Sequence, residues 1–125
     1  MTSPSATPDR YRYQNERMWS RSEKAIARKA FDAALKRELH EIMQEAKQKA
    51  RKMREPADVW ELERYLTLRR KDIDRRYEFR NSRLNDVLGR LLYENRLMQE
   101  DLRGLSANKL ERIRSFAQFL AEDVA

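Results

Sequence analysis

The chain has 125 residues, enough for one domain or for a helical subunit that needs a second copy. Only two glycines and three prolines, with 39% charged residues and abundant Ala, Leu, Glu, Lys and Arg, describe a nearly all-α protein. The net charge is +7 and cysteine is absent, which excludes a disulfide scaffold and a thiolate-ligated metal site.

Residues 1–18, M-T-S-P-S-A-T-P-D-R-Y-R-Y-Q-N-E-R-M, hold two of the three prolines and almost no periodic hydrophobicity. They read as a disordered arm, either a frayed terminus or a small docking motif built on Tyr11 and Tyr13. Structure is expected to begin at Trp19-Ser20, where Ser20 and Glu23 have capping-box spacing. The following helix carries Phe31, Leu35, Leu39, Ile42, Ala46 and Met53 at steps of three, four and seven. Nothing interrupts it before Pro56, so it runs about 34 residues, or about 50 Å. A compact globule of this chain length has a radius of gyration of only about 14 Å. Such a helix protrudes with its apolar stripe wet unless another copy covers it, so a homodimer is expected.

Pro56 suits the first turn of a second helix, whose apolar positions run Val59, Leu62, Leu66, Ile73 and Tyr77. Arg69 and Arg70 fall inside the gap between Leu66 and Ile73, and a guanidinium beside a buried seam needs a partner. Asp72 and Asp74 are the nearest candidates, with Arg70 and Asp74 one turn apart. This helix either breaks at Asn81-Ser82, where either residue can cap a fresh helix, or continues straight to about residue 95. Residues 96–105 read as a connector with one helical turn. Ser106 then caps a last helix, with Leu105 and Leu110 placed as a hydrophobic staple. The fold expected is therefore all-α: a pair of long dimerising helices over 19–80, with residues 81–125 as a small helical head. Phe31, Leu35, Leu39, Ile42, Val59, Leu62 and Leu66 are the predicted dimer interface.

Chemistry for catalysis is missing from the sequence. His40 is the only histidine, both glycines are isolated, and each carboxylate has a basic residue within a turn. No enzyme, cofactor or metal site is expected. No apolar run approaches the roughly 20 residues of a membrane span, and no signal-peptide core is evident, so the reading is cytoplasmic. Residues 24–54 carry ten Lys or Arg against four acids, and residues 64–83 carry eight against three. Residues 84–125 are near neutral, at six against seven. A basic middle points to an acidic partner. The run Lys47, Lys49, Arg51, Lys52, Arg54 sits where a helix dipole favours cations in any case, and Asp72, Asp74 and Glu78 would repel phosphates. Nucleic acid is accordingly disfavoured.

Collected together, the motifs resemble the fluorescence recovery protein family of cyanobacteria. The matching residues are Trp19-Ser20 with Glu23, Phe31 with Ala34, and Arg37-Glu38-Leu39. Then come Trp60, Leu62, Leu66, Arg69-Arg70, Ile73-Asp74, Tyr77, Arg80 and Ser82. Leu91-Leu92, Glu94, Leu102, Leu105, Lys109 and Ile113 complete the set, covering 19 to about 115 without gaps. The resemblance implies a non-enzymatic homodimer that binds the light-activated orange carotenoid protein and hastens its return to the resting form, ending phycobilisome quenching. It implies partner binding through Trp60 and Arg70 and a dimer contact at Val59. Glu63, Arg64, Arg69 and Asp74 complete the candidate partner face, and Asp86, Lys109 and Arg112 are head candidates. Two departures stand out. A familiar member has His-Asp where this chain has Glu63-Arg64, and the family's aromatic head position is Asp86. Trp60 itself reads either as core packing or as a partner hot spot. The alternative reading is a divergent helical dimer that binds another protein.

Overall fold

A computed structural model describes residues 19–124, so the expected arm over 1–18 lies outside the described residues. Four helices follow one another: α1 (Arg21–Arg51), α2 (Asp58–Arg76), α3 (Leu84–Tyr93) and α4 (Ala107–Val124). A 3-10 turn, Gln99–Leu102, lies between α3 and α4. Among the described residues there is no strand.

The start of α1 is set by the expected capping box. The Glu23 amide donates to Ser20 Oγ at 3.1 Å, and the Ser20 amide donates to Glu23 Oε1 at 3.2 Å. The other oxygen of Glu23 accepts from the Ser106 amide at 3.0 Å, and Lys109 Nζ lies 3.3 Å from Oε1. One carboxylate thus ties the first turn of α1 to the first turn of α4. Burial pushes the Glu23 carboxyl up, but these donors and the Lys109 charge outweigh it and hold the group below its ordinary value. Ser20→Ala should lower stability by about 1 kcal/mol, read as a melting midpoint about 4 °C lower by circular dichroism. An unaltered midpoint would show that the cap is redundant.

α1 ends at Arg51, and the turn is held by Asp58 Oδ2, which accepts from the amides of Arg54 and Glu55 at 2.9 and 3.0 Å. Pro56 sits in this turn, two residues before α2, not inside the helix's first turn. The helices return antiparallel: Lys49 lies over the Tyr65 ring, while Glu38, three turns earlier, meets Arg69 and Arg76. The two rows of α1 are distinct. Ala27, Ala30, Phe31, Ala34 and Glu38 are buried, and Leu35, Leu39 and Ile42 lie on the adjoining edge. Phe31 belongs to the core of the chain itself, edge-on to Tyr77 and Phe79 with both centroids at 5.3 Å. Its ring is therefore covered before any second copy arrives, which corrects its placement in a dimer seam.

α2 stops at Arg76, so the straight continuation does not occur. Tyr77 turns inward, its phenol donating to Glu38 Oε1 at 2.9 Å. Neither Asn81 nor Ser82 caps α3; the N-cap is Arg83, without a side-chain bond. α3 packs on α4 at very short range because Gly89 has no side chain: a Cβ there would stand 2.9 Å from the Ile113 carbonyl oxygen. α3 ends at Tyr93 with Glu94 as its cap, and Asn95 just beyond lies in the left-handed region at φ 63°. Arg96 donates its amide to the Leu91 carbonyl at 2.9 Å and Asn95 to Leu92 at 3.1 Å, the Schellman arrangement. That reversal swings Arg96 back over α1. The head core holds Leu84, Leu88, Leu91, Leu97, Leu102, Leu105 and Ile113, with Trp19 and the alanines of α1 beneath it. Ser106 caps α4 as expected, accepting from the Lys109 amide at 3.3 Å.

Candidate partner-binding surface

The hairpin is organised around a carboxylate that no solvent reaches: Glu38 is 0% exposed. It continues the inward row Ala27, Phe31, Ala34, one and two turns on. Three guanidiniums converge on it. Arg69 Nη2 is 2.6 Å from Oε2, Arg96 Nε is 3.2 Å from Oε1, and Arg76 donates to Oε2. Arg76 and Arg96 also share Glu94 at 2.9 and 3.0 Å, and Arg96 reaches Glu41 at 3.1 Å. Burial raises the Glu38 carboxyl, but the bonds from Arg76 and Tyr77 and the charges of Arg76 and Arg96 win, so it sits below 4.5. The Tyr77 phenol is pushed well above its ordinary value by burial and by its bond to Glu38.

Arg69 therefore points into the chain with Glu38 as its partner, and it is not presented on a partner face. Asp72 pairs with Arg75 at 2.5 Å, whereas Arg70 and Asp74 are both exposed and make no ion pair with each other. The expected local pairing of Arg70 with Asp74 is absent; of the two neighbouring arginines, the one that finds a carboxylate is Arg69, which lies inward and meets Glu38 on α1.

Successive residues of a helix are turned by about 100°, which divides α2 into three faces. Asp58, Leu62, Tyr65, Arg69, Ile73 and Arg76 face α1 and are part-buried. Val59 and Leu66, with Arg70 at the rim, form one edge; Trp60, Arg64, Leu68 and Lys71 form the outer face. Trp60 is 66% exposed, so it is not core within this chain. Glu63 is fixed by the Thr67 hydroxyl, which donates to it at 2.8 Å. Because α1 and α2 run antiparallel, the edge of α1 bearing Leu35, Leu39 and Ile42 opens on the same side as Val59 and Leu66. The opposite side is closed by the head connector, where Arg37 meets Asp101 at 3.0 Å and Arg96 meets Glu41. Leu39 and Val59 are about half exposed, at 50% and 49%.

In the head, Lys109 is buried, paired with Glu23 and lying 5.2 Å from the centroid of the Trp19 ring, so it is held away from the surface. Asp86 and Arg112 line an open groove of about 650 Å³ between α3 and α4, with Phe116 and Phe119. Among the described residues no cluster of His, Cys, Asp or Glu could hold a metal ion. No helix among them is long and apolar enough to cross a membrane.

Sequence reading missed Glu38, the centre of the network. Its signal was a carboxylate on an alanine-rich inward row.

This arrangement has counterparts. The family model for the photoprotection regulator fluorescence recovery protein matches residues 19–117. The fluorescence recovery protein of Synechocystis sp. PCC 6803 is 31% identical over 103 residues, 82% of this chain and 94% of the relative. Its solved structure superposes with a TM-score of 0.76 at 31% identity, covering 81% of this chain and 99% of that one. The Fremyella diplosiphon fluorescence recovery protein structure gives 0.75 at 32% identity, with the same coverage. The chain belongs to the fluorescence recovery protein family of photoprotection regulators.

Proposed function

We propose that this chain is a cytoplasmic, non-enzymatic homodimer that binds a photoactivated orange carotenoid protein and hastens its return to the resting form. The observation that carries the reading is Trp60. A tryptophan 66% exposed on the outer face of α2 is an expensive residue to leave in water, and such aromatics are typical interface anchors. The resemblance assigns partner binding to this position and to Arg70. Glu63, Arg64 and Asp74 surround them on the solvent side of the helix. Leu62, expected in the dimer interface too, faces α1 of its own chain, whereas the open edge of the hairpin (Leu35, Leu39, Ile42, Val59, Leu66) is the surface for the second copy. It is apolar and continuous across both helices, and the head connector leaves it open.

Timing the dark red-to-orange return of photoactivated orange carotenoid protein tests this reading. Added protein should shorten the return at least several-fold, and Trp60→Ala should abolish most of the gain. No acceleration by the wild-type chain would sink the carotenoid assignment.

A second reading has its own observation. Arg64 is exposed on the same face as Trp60, where a familiar family member carries aspartate. At a complementary contact such a reversal costs several kcal/mol. A divergent member using this face for a different protein would fail the assay as wild type and gain acceleration as Arg64→Asp.

A further inference from the structure

Nearly every charge on the inner faces of the hairpin is paired, but one line on the outside of α1 is not. Lys29, Lys36, His40, Lys47 and Arg51 are all exposed and follow one another at steps of seven, four, seven and four. That eleven-residue repeat, about 3.67 residues per turn, keeps all five on a single straight line along the helix. The line is about 33 Å long at 1.5 Å per residue. Among the described residues none of the five takes part in an ion pair within 4 Å. The acids of α1 lie elsewhere: Glu23 meets Lys109, Asp32 meets Arg28, Glu38 is buried, Glu41 meets Arg96, and Glu45 lies on the α2 side. Lys47 and Arg51 stack like charge one turn apart, which destabilises a helix. The dipole of α1 explains cations in its last turns only; Lys29 lies in its first half and Lys36 at its midpoint, where it offers nothing.

We infer that this line is a docking surface for an acidic helix of a protein partner, with carboxylates at the matching seven-and-four spacing. Two features favour a helix over a nucleic acid. A duplex offers two phosphate rows flanking a groove about 12 Å wide, which a helix meets with its two sides. A single central row would face base edges, and would leave the groove within a fraction of its 33 Å length. A straight partner helix, by contrast, brings one row of carboxylates along the whole line. The surface lies across α1 from Trp60, so it is separate from the proposed carotenoid-protein contact; Lys36 and His40 border the apolar edge, lining one hollow with Leu39 and Met43.

The test uses the whole protein and three labelled probes in fluorescence anisotropy. One is an alanine-based helical peptide with glutamates at positions 1, 8, 12, 19 and 23, spaced by seven and four to match the line. The second has the same composition with the glutamates spread around the helix, and the third is a 20-base-pair DNA duplex. The matched peptide should bind at least fivefold more tightly than the spread one, and the double variant Lys29→Glu/Lys36→Glu should weaken it at least tenfold. Arg103→Gln, an exposed change in the head connector, should leave it unaltered. Both affected lysines are solvated and unpaired, so circular dichroism should show unchanged helix content. Equal binding of the two peptides, tighter binding of the duplex, no binding of any probe, or an unaffected double variant would each overturn the inference. None of these outcomes depends on whether the carotenoid protein responds.

Discussion

Glu38→Ala should lower the stability of the folded chain by about 3–5 kcal/mol, the range for removing one partner of a buried charge cluster. The reason is what remains. Arg69, Arg76 and Arg96 converge on this carboxylate, and Arg76 and Arg96 are each only 15% exposed at the side chain. Without it, Glu94 and Glu41 are left to serve the guanidiniums, and the Tyr77 phenol loses its acceptor. Arg69→Ala should cost less, because Glu38 keeps two cations. Urea unfolding followed by circular dichroism checks both. A Glu38→Ala loss below that of Arg69→Ala would mean the cluster is not centred where the distances place it. The pH dependence has a definite sign. Glu38 is held below 4.5 in the folded chain, so the unfolded chain binds its proton more readily. Its contribution is present above that ordinary value and is lost as pH falls through the lower, folded one. Acid titration of the wild type should therefore show a loss of stability below about pH 4.5 that is diminished in Glu38→Ala.

Val59→Glu should convert the proposed dimer to a monomer. Size exclusion with light scattering should read a mass near 15.1 kDa for the variant and about twice that for the parent. In a two-fold interface the substitution enters twice, and each carboxylate would be desolvated against Leu39 or Leu66 of a facing copy. A penalty of about 4 kcal/mol in total is roughly a thousandfold in the dissociation constant. The single chain should tolerate the change, since Val59 is 49% exposed and outside the buried core. A helix signal equal to the parent's, with halved mass, is the expected pair of results. A variant of unchanged mass would place the interface elsewhere.

The sequence disclosed what is local. The Ser20–Glu23 box, the Ser106 cap, the turn around Pro56 and the all-helical character each depend on a few neighbouring residues, and the structure contains them. What it hid was non-local. The apolar stripe read along α1 merged two rows that the fold keeps apart, because Ala27, Ala30 and Ala34 contribute little hydrophobicity although they mark the closest contacts. With that inward row overlooked, Glu38 looked like one more solvated acid and Arg69 like a surface cation. The stop of α3 was legible to within two residues, since the connector was read from residue 96 and Asn95 is a residue type that takes the left-handed backbone the reversal needs. The partner face fared differently. Trp60 was legible as either core or anchor, and the geometry puts it in water; Arg70 and Arg64 are on the surface as well.

The Glu38 cluster draws its cations from α2 and from the segment just after α3, while the carboxylate itself is carried by α1. Rod and head are thereby riveted at one point, with Glu23 as a second rivet about four turns away along the same helix. Two fasteners fix an angle where one would permit a pivot. The head therefore has no free hinge on α1, and its groove at Asp86 keeps one orientation relative to that helix.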